Sequence, residues 1–224
     1  MSTCICIPVR EKSTRLPDKC FIDLNGKPMI KYVYDKVKAY GYKTYVVTDS
    51  KKVASIIGPD AVMTGDAVHG TDRIMKAIDS LPPFDKYINV QGDNPDVTID
   101  VVLAVERELD NEYVVNAVRA LQDPASWRES VVRAYVNNGR IYNYSRDGWT
   151  PNEINYAATG FHGYTRQAKI LYDNSQLSSR EYSLNLEQVR WIDNNIRLGA
   201  ARVEWDGVEI NNEEDLAAWK ARNA

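Results

Sequence analysis

The sequence is short of imidazole and thiol: its 224 residues include two histidines, His69 and His162, and three cysteines, Cys4, Cys6 and Cys20. A four-ligand zinc site is therefore barely within reach, and a disulfide framework is excluded. Cys4 and Cys6 fall two apart in an apolar run, which puts both thiols on one face of a strand as small buried hydrophobes. The odd cysteine count fits a reducing compartment. Neither sign of charge dominates, with 28 basic against 31 acidic side chains and a formal net charge of −3. There is thus no general pull toward nucleic acid or an anionic membrane, and any anion site must be built locally. No apolar run approaches ~20 residues and no basic segment precedes one, so neither a membrane span nor a signal peptide is expected. The chain reads as soluble and cytoplasmic. What is present is ordinary globular composition, 44% hydrophobic and 26% charged, enough for one large α/β domain or two small ones.

The first half alternates regularly. Cys4 to Pro8 reads as a strand, Met29 to Tyr40 as a helix stopped by Gly41, and Thr44 to Thr48 as a β-branched strand. Lys51 to Ile57 is a weaker helix, Ala61 to Met63 a brief strand, Asp72 to Ser80 a helix capped by Thr71, and Tyr87 to Val90 a strand. That alternation predicts a Rossmann-like α/β fold, a mostly parallel sheet with crossover helices. In the second half, Ser130–Val136 and Ile141–Tyr144 flank the turn signal Asn137-Asn138-Gly139-Arg140, predicting a β-hairpin. Thr159 to Tyr164 reads as a strand, Ser183 to Asp193 as a helix, Val208 to Ile210 as a short strand, and Glu213 to Ala221 as a helix capped by Asn211 or Asn212. With no repeat or clear linker, residues 1–224 are read as one domain with a hairpin region inserted at about 125–165.

Ligands of open parallel sheets bind outside the carboxyl ends of the strands, which selects four segments. The loop after the first strand carries Arg10, Lys12, Arg15 and Lys19 with the hydroxyls of Ser13 and Thr14. Such a loop can wrap a polyphosphate, although composition alone favours a solvated charged loop, and it is not a Walker P-loop. Gln91-Gly92-Asp93-Asn94 puts a carboxylate on a tight turn, either a Mg²⁺ ligand or a turn former. His69-Gly70-Thr71-Asp72-Arg73 enters a helix N-terminus, either a base or phosphate site or simple capping. Glu209-Ile210-Asn211 precedes the final helix and offers further oxygen ligands, or a cap.

Each segment alone is weak, but their order is specific. Pro8-Val9-Arg10, Ser13-Thr14-Arg15-Leu16-Pro17 and Lys19 are followed by Asn25-Gly26-Lys27-Pro28-Met29-Ile30, Thr48-Asp49, Gly70-Thr71-Asp72-Arg73 and Asn89-Val90-Gln91-Gly92-Asp93. Together with Tyr144-Ser145-Arg146, Gly160, Leu186-Glu187-Gln188-Val189-Arg190 and Glu214-Asp215-Leu216, this series resembles the 3-deoxy-manno-octulosonate cytidylyltransferase (CMP-Kdo synthetase) family across nearly the whole chain.

The resemblance implies a nucleotide-diphospho-sugar transferase fold and a homodimer that couples CTP to an acidic sugar for lipopolysaccharide biosynthesis, with Mg²⁺ as cofactor. Carried over by position, Pro8, Arg10, Ser13, Arg15, Lys19, Gly70, Thr71, Asp72 and Arg73 would bind CTP. Arg15, Lys19 and Asp93 would be catalytic, and Asp93, Glu209 and Asn211 would hold the metal. Gln91, Tyr144, His162, Glu187 and Gln188 would meet the acid substrate. The chain departs from the family pattern at Asn211, where a metal aspartate is expected, and Glu209 offers compensation. Ala158 replaces a histidine and Leu184 a glutamate, and the stretch before Gly70 is one residue short and lacks a serine. These substrate-side changes leave open another ulosonic acid or a phosphonate such as phosphonoformate. The altered metal ligand leaves open a catalytically weak nucleotide-binding module. Tyr135, Tyr142, Tyr144 and Trp149 fit either a dimer surface or ordinary sheet packing.

Overall fold

The structure is a computed structural model, and it describes residues 1–11, 13, 16–121, 131–146 and 155–223. Lys12, Thr14, Arg15, Trp149 and parts of the expected hairpin region lie outside the described residues. Contacts divide the chain into two compact units, Met1–Ile99 with Asp206–Ala224, and Asp100–Trp205.

The first unit holds a parallel four-stranded sheet in the order β5 (Ala61–Met63), β4 (Lys43–Thr48), β1 (Thr3–Val9), β6 (Lys86–Val90). The apolar runs were legible because central parallel strands are buried on both faces; Ile5, Ile7, Val46, Val47 and Ile88 are at most 1% exposed. β1 runs through Pro8, which still lies opposite Val47. Cys4 and Cys6 are buried free thiols as expected, and burial pushes the Cys20 thiol up to about 11, away from thiolate character. α1 (Met29–Lys38) stops before Gly41, whose φ of 86° favours glycine. α2 (Lys51–Ile57) is capped by Ser50, which accepts from Val53 N. α3 spans Gly70–Ile78, not Asp72–Ser80: His69 is its N-cap, and Thr71 is buried inside the first turn instead of capping it. A small hairpin, β2 (Asp23–Leu24) with β3 (Lys27–Pro28), turns through Asn25 and Gly26 at positive φ. The final helix, here α8 (Glu213–Arg222), starts on a capping box between Asn212 and Asp215. Val208–Ile210 forms no strand; it is held by single bonds from Val208 N to Asp96 and from Ile210 N to Asp93 O.

The second unit opens with α4 (Ile99–Glu108) and β7 (Val114–Ala120), which the periodicity reading did not find. Its strands run β10 (Asn155–Thr165), β7, β11 (Leu198–Arg202), β9 (Arg140–Ser145), β8 (Arg133–Asn137), and β10 also pairs with β8, closing a five-stranded ring. The β8–β9 turn is as expected, with Asn138 at φ 48° and Gly139 at φ 75°. β10 bulges between Ala158 and His162, and Asn116 Nδ2 stitches the bulge by donating to the carbonyls of Thr159 and Phe161. Gly163 is required by close packing: a Cβ there would lie 2.6 Å from Val105 Cγ1 and 2.8 Å from Leu109 Cδ1. The single helix expected over Ser183–Asp193 is instead α6 (Ser179–Leu184) and α7 (Val189–Asp193), separated at Asn185, which takes a left-handed φ of 47°. α5 (Arg166–Asp173) follows β10 and is capped by Thr165.

Candidate active site

Within the first unit, the loops after β1, β4, β5 and β6 all leave the carboxyl ends of parallel strands. Gly92 makes the turn after β6 possible. A Cβ on it would sit 2.9 Å from Val9 Cγ2, so only glycine lets this turn pass the end of β1. That close passage sets Asp93. Lys19, on a single 3₁₀ turn (Lys19–Phe21), donates from Nζ to Asp93 Oδ2 at 2.5 Å and to Asn211 Oδ1 at 3.3 Å. The main chain reinforces the contact, since Ile210 N donates to Asp93 O at 3.0 Å. Asp96 holds the same segment from behind, accepting from Val208 N and from Trp219 Nε1 at 2.8 Å. Lys19, Asp93 and Asn211, up to 192 positions apart, therefore meet at one point.

Asp93 Oδ1 is buried and, among the described residues, has no hydrogen-bond partner. A buried carboxylate oxygen left unpaired costs free energy unless a cation or donor completes it. Among the described residues, no group of three or more His, Cys, Asp or Glu side chains is placed to hold a metal ion. The donor set nevertheless fits Mg²⁺, which binds through one or two protein oxygens and keeps several waters. Asp93 and Asn211 are the side chains that could supply such oxygens, and Glu209 stands half-buried beside Ile210. Asn94, fully buried next to Asp93, adds a carboxamide with neither atom bonded among the described residues. Sequence reasoning passed over it, although it stands in the same turn.

The other nucleotide-side residues divide. Arg10 is exposed, and Ser13 and Pro8 are half-buried on the loop and strand that lead to Lys19. Gly70 and Thr71 form the first turn of α3. Asp72 and Arg73 do not offer their side chains outward. Asp72 accepts from Val68 N and from Lys76, a capping role that also lowers its pKa. Arg73, 3% exposed, donates to Thr64 Oγ1, Gly65 O and Asp49 Oδ2 at 2.9, 3.0 and 2.7 Å. Gln91 is half-buried, and its carbonyl accepts from Asn94 N.

Within the second unit, His162, Glu187 and Gln188 come together. Gln188 Nε2 donates to His162 Nε2 at 2.9 Å and to Glu187 Oε1 at 3.1 Å. His162 must then accept, which requires a neutral ring, and burial pushes its pKa down to about 4. Tyr144 stands apart from them: it is 2% exposed, and its hydroxyl donates to Asn116 Oδ1 at 2.8 Å between strands that are not ladder neighbours. That placement braces the ring.

A depressed histidine pKa has a stability consequence with a definite sign. Above about pH 6.5 the ring is neutral in both folded and unfolded chains. As pH falls from 6.5 through about 4, the unfolded chain takes up the proton first, and native stability is lost. The expected loss is about 3 kcal/mol across that window. His162→Gln should lack this component, so urea unfolding of both proteins from pH 7 to pH 4 should show a steeper decline for wild type. Parallel declines would contradict the assignment.

A loop after β1 carrying Arg10, Ser13 and Lys19 and a carboxylate turn after β6, at the carboxyl ends of a parallel sheet, stand where nucleotide-binding α/β proteins hold their ligands. The comparisons narrow that class. Residues 4–197 match the cytidylyltransferase family. The chain belongs to that family. A 3-deoxy-manno-octulosonate cytidylyltransferase of Parabacteroides distasonis is 29% identical, over 94% of this chain and 93% of its own. An 8-amino-3,8-dideoxy-manno-octulosonate cytidylyltransferase of a Shewanella species is 31% identical, over 100% and 99%. Among solved structures, a CMP:2-keto-3-deoxy-manno-octonic acid synthetase complexed with CTP gives a TM-score of 0.89 at 27% identity, covering 100% of both chains. The inositol-1-phosphate CTP transferase of T. maritima, at TM-score 0.66 and 15% identity over 99% of this chain and 94% of its own, shares the fold. Among the described residues no helix is long and apolar enough to cross a membrane.

Proposed function

We propose that the protein transfers CMP from CTP to an acidic sugar, 3-deoxy-manno-octulosonate or a close analogue, releasing pyrophosphate. The observation that carries this reading is the convergence of Lys19, Asp93 and Asn211 at the strand ends, with one Asp93 oxygen unpartnered among the described residues. The relatives support it: they are named for octulosonate and its 8-amino analogue, and the solved relative is complexed with CTP.

In the reaction, the sugar hydroxyl oxygen forms a bond to the α-phosphorus and loses its proton. The bond from that phosphorus to the bridging oxygen breaks, and pyrophosphate leaves with the electron pair. Such transfers depend on positioning and charge more than on covalent help. Arg10 and Ser13 would hold the triphosphate, and Lys19 with Arg15 would offset charge building on the leaving pyrophosphate. Gly70 and Thr71, with the main chain at Pro8, would read cytosine. Asp93 and Asn211 would hold Mg²⁺, with Glu209 as a further oxygen, and the bound ion would neutralise the phosphates. Gln91, His162, Glu187 and Gln188 would meet the acid, with His162 as a neutral hydrogen-bonding group. The same reading makes the protein a cytoplasmic homodimer in lipopolysaccharide biosynthesis. Exposed Tyr142, ring-paired with Tyr135 at 6.0 Å, supports a contact surface on the hairpin.

The test is pyrophosphate release from CTP and Mg²⁺ with a panel of acids: Kdo, its 8-amino-8-deoxy analogue, sialic acid and phosphonoformate. Release is expected with the octulosonates. Turnover with phosphonoformate alone would move the substrate to a phosphonate, and CTP binding without any turnover would favour a binding module.

A further inference from the structure

Base and phosphate recognition, as proposed above, fall on separate pieces of chain: the N-terminus of α3 and the loop after β1. Nothing in the local sequence of either fixes its distance from the other, yet CTP must be held at both ends at once. One buried guanidinium bridges the gap. Arg73 donates from Nη1 to Thr64 Oγ1 and Gly65 O, which fixes the segment entering α3. From Nη2 it donates to Asp49 Oδ2 at 2.7 Å, and the other oxygen of Asp49 accepts from the main-chain N–H of Glu11, in the phosphate loop, at 3.3 Å.

A second strand of bonds runs in parallel. The hydroxyl of Ser50 donates to Glu11 Oε2 and accepts from Val53 N, tying the same loop to the start of α2. Thr64 is in turn joined to the end of β4, donating from N to Thr48 O at 3.0 Å. Asp49 and Ser50 therefore form a knot at the end of β4, with the phosphate loop on one side and the base segment on the other. Arg73 is 3% exposed, and its two terminal nitrogens are occupied within the protein. Its chemistry suits it for this work: a planar fork can serve three acceptors in a fixed geometry, which a lysine ammonium on a flexible stem does less well.

We propose that the Asp49–Arg73 pair is a positioning device that sets the span between the phosphate loop and the base-reading turn, so that CTP affinity depends on two residues that need not touch CTP. The inference rests on the cytidylyltransferase reading above. Its physical content is effective concentration: a ligand held at two sites gains from their fixed separation, whereas a ligand held at one does not.

That difference supplies the experiment. Asp49→Asn keeps the size of the side chain and an acceptor for Glu11 N–H but removes the charge facing Arg73. CTP, cytidine and inorganic tripolyphosphate are titrated against wild type and variant, with Mg²⁺ present. CTP binding is expected to weaken at least about tenfold, and cytidine and tripolyphosphate each by less than about threefold. In turnover, KM for CTP should rise by a similar factor while KM for the acid is unchanged. Arg73→Lys, which keeps charge but loses the fork, should show the same pattern in smaller measure and serves if the first variant fails to fold. If all three ligands weaken together, or none does, the pair is a structural contact only and the inference is wrong. If wild type itself ignores CTP, the cytidylyltransferase reading fails first and takes this inference with it.

Discussion

Asp93→Asn is expected to slow CMP transfer by about a thousandfold or more while the protein remains folded. The substitution preserves shape, and its amide oxygen can still accept from Lys19, which now meets Asp93 Oδ2 at 2.5 Å. What disappears is the negative charge on a side chain whose other oxygen is buried and, among the described residues, unpartnered. An oxygen so placed costs the fold something and returns nothing to it, which is the mark of a residue kept for chemistry. The thermal midpoint of the variant should therefore stay within a few degrees of wild type, while initial rates of pyrophosphate release fall to background. An Asp93→Asn variant active within about tenfold of wild type would remove Asp93 from the reacting centre.

The largest loss of stability is expected from Glu181→Ala, at about 3–5 kcal/mol. The Glu181 and Arg190 side chains are 1% and 8% exposed, and their paired bonds are 2.8 and 2.9 Å long. The Arg190 guanidinium also lies 4.5 Å from the centroid of the Tyr172 ring. α6 and α7 have six and five residues, too few to hold helical structure alone, so the pair that joins them carries much of their order. Removing the carboxylate takes from a buried cation the acceptor of its two paired bonds, whereas replacing both partners by methionine should recover most of the loss. Denaturant midpoints of Glu181→Ala and of the Glu181→Met, Arg190→Met protein test this; a single variant within about 1 kcal/mol of wild type would contradict it.

The parallel sheet could be read from the chain because its strands are buried on both faces and say so in unbroken apolar runs, as in Cys4–Ile7 and Tyr45–Val47. The turn at Asn138 and Gly139 could be read because it needs two residues at positive φ. β7 and β11 could not. β7 has its valines interrupted by Asn116, and β11 reads Leu-Gly-Ala-Ala-Arg, a strand because β7 and β9 pair with it rather than by local preference. The break at Asn185 was hidden because asparagine tolerates the left-handed conformation without announcing it.

The site shows the same division. Asp93, Lys19 and Asn211 were identified from motifs, and the structure brings them into contact. Arg73 was expected at the nucleotide because it stands in the Gly-Thr-Asp-Arg run, and its bond to Asp49, 24 positions away, is visible only in three dimensions. Tyr144 likewise sits in a family motif, and its hydroxyl is engaged by Asn116 inside the ring.

The most direct test of the central claim is a ³¹P NMR time course of the wild-type protein with CTP, Mg²⁺ and Kdo. The account predicts that the CTP resonances are replaced by pyrophosphate and one CMP diester in equal amounts, and that the spectrum stays constant when ATP replaces CTP. Orthophosphate with CDP, or unchanged CTP with the folded protein present, would contradict it.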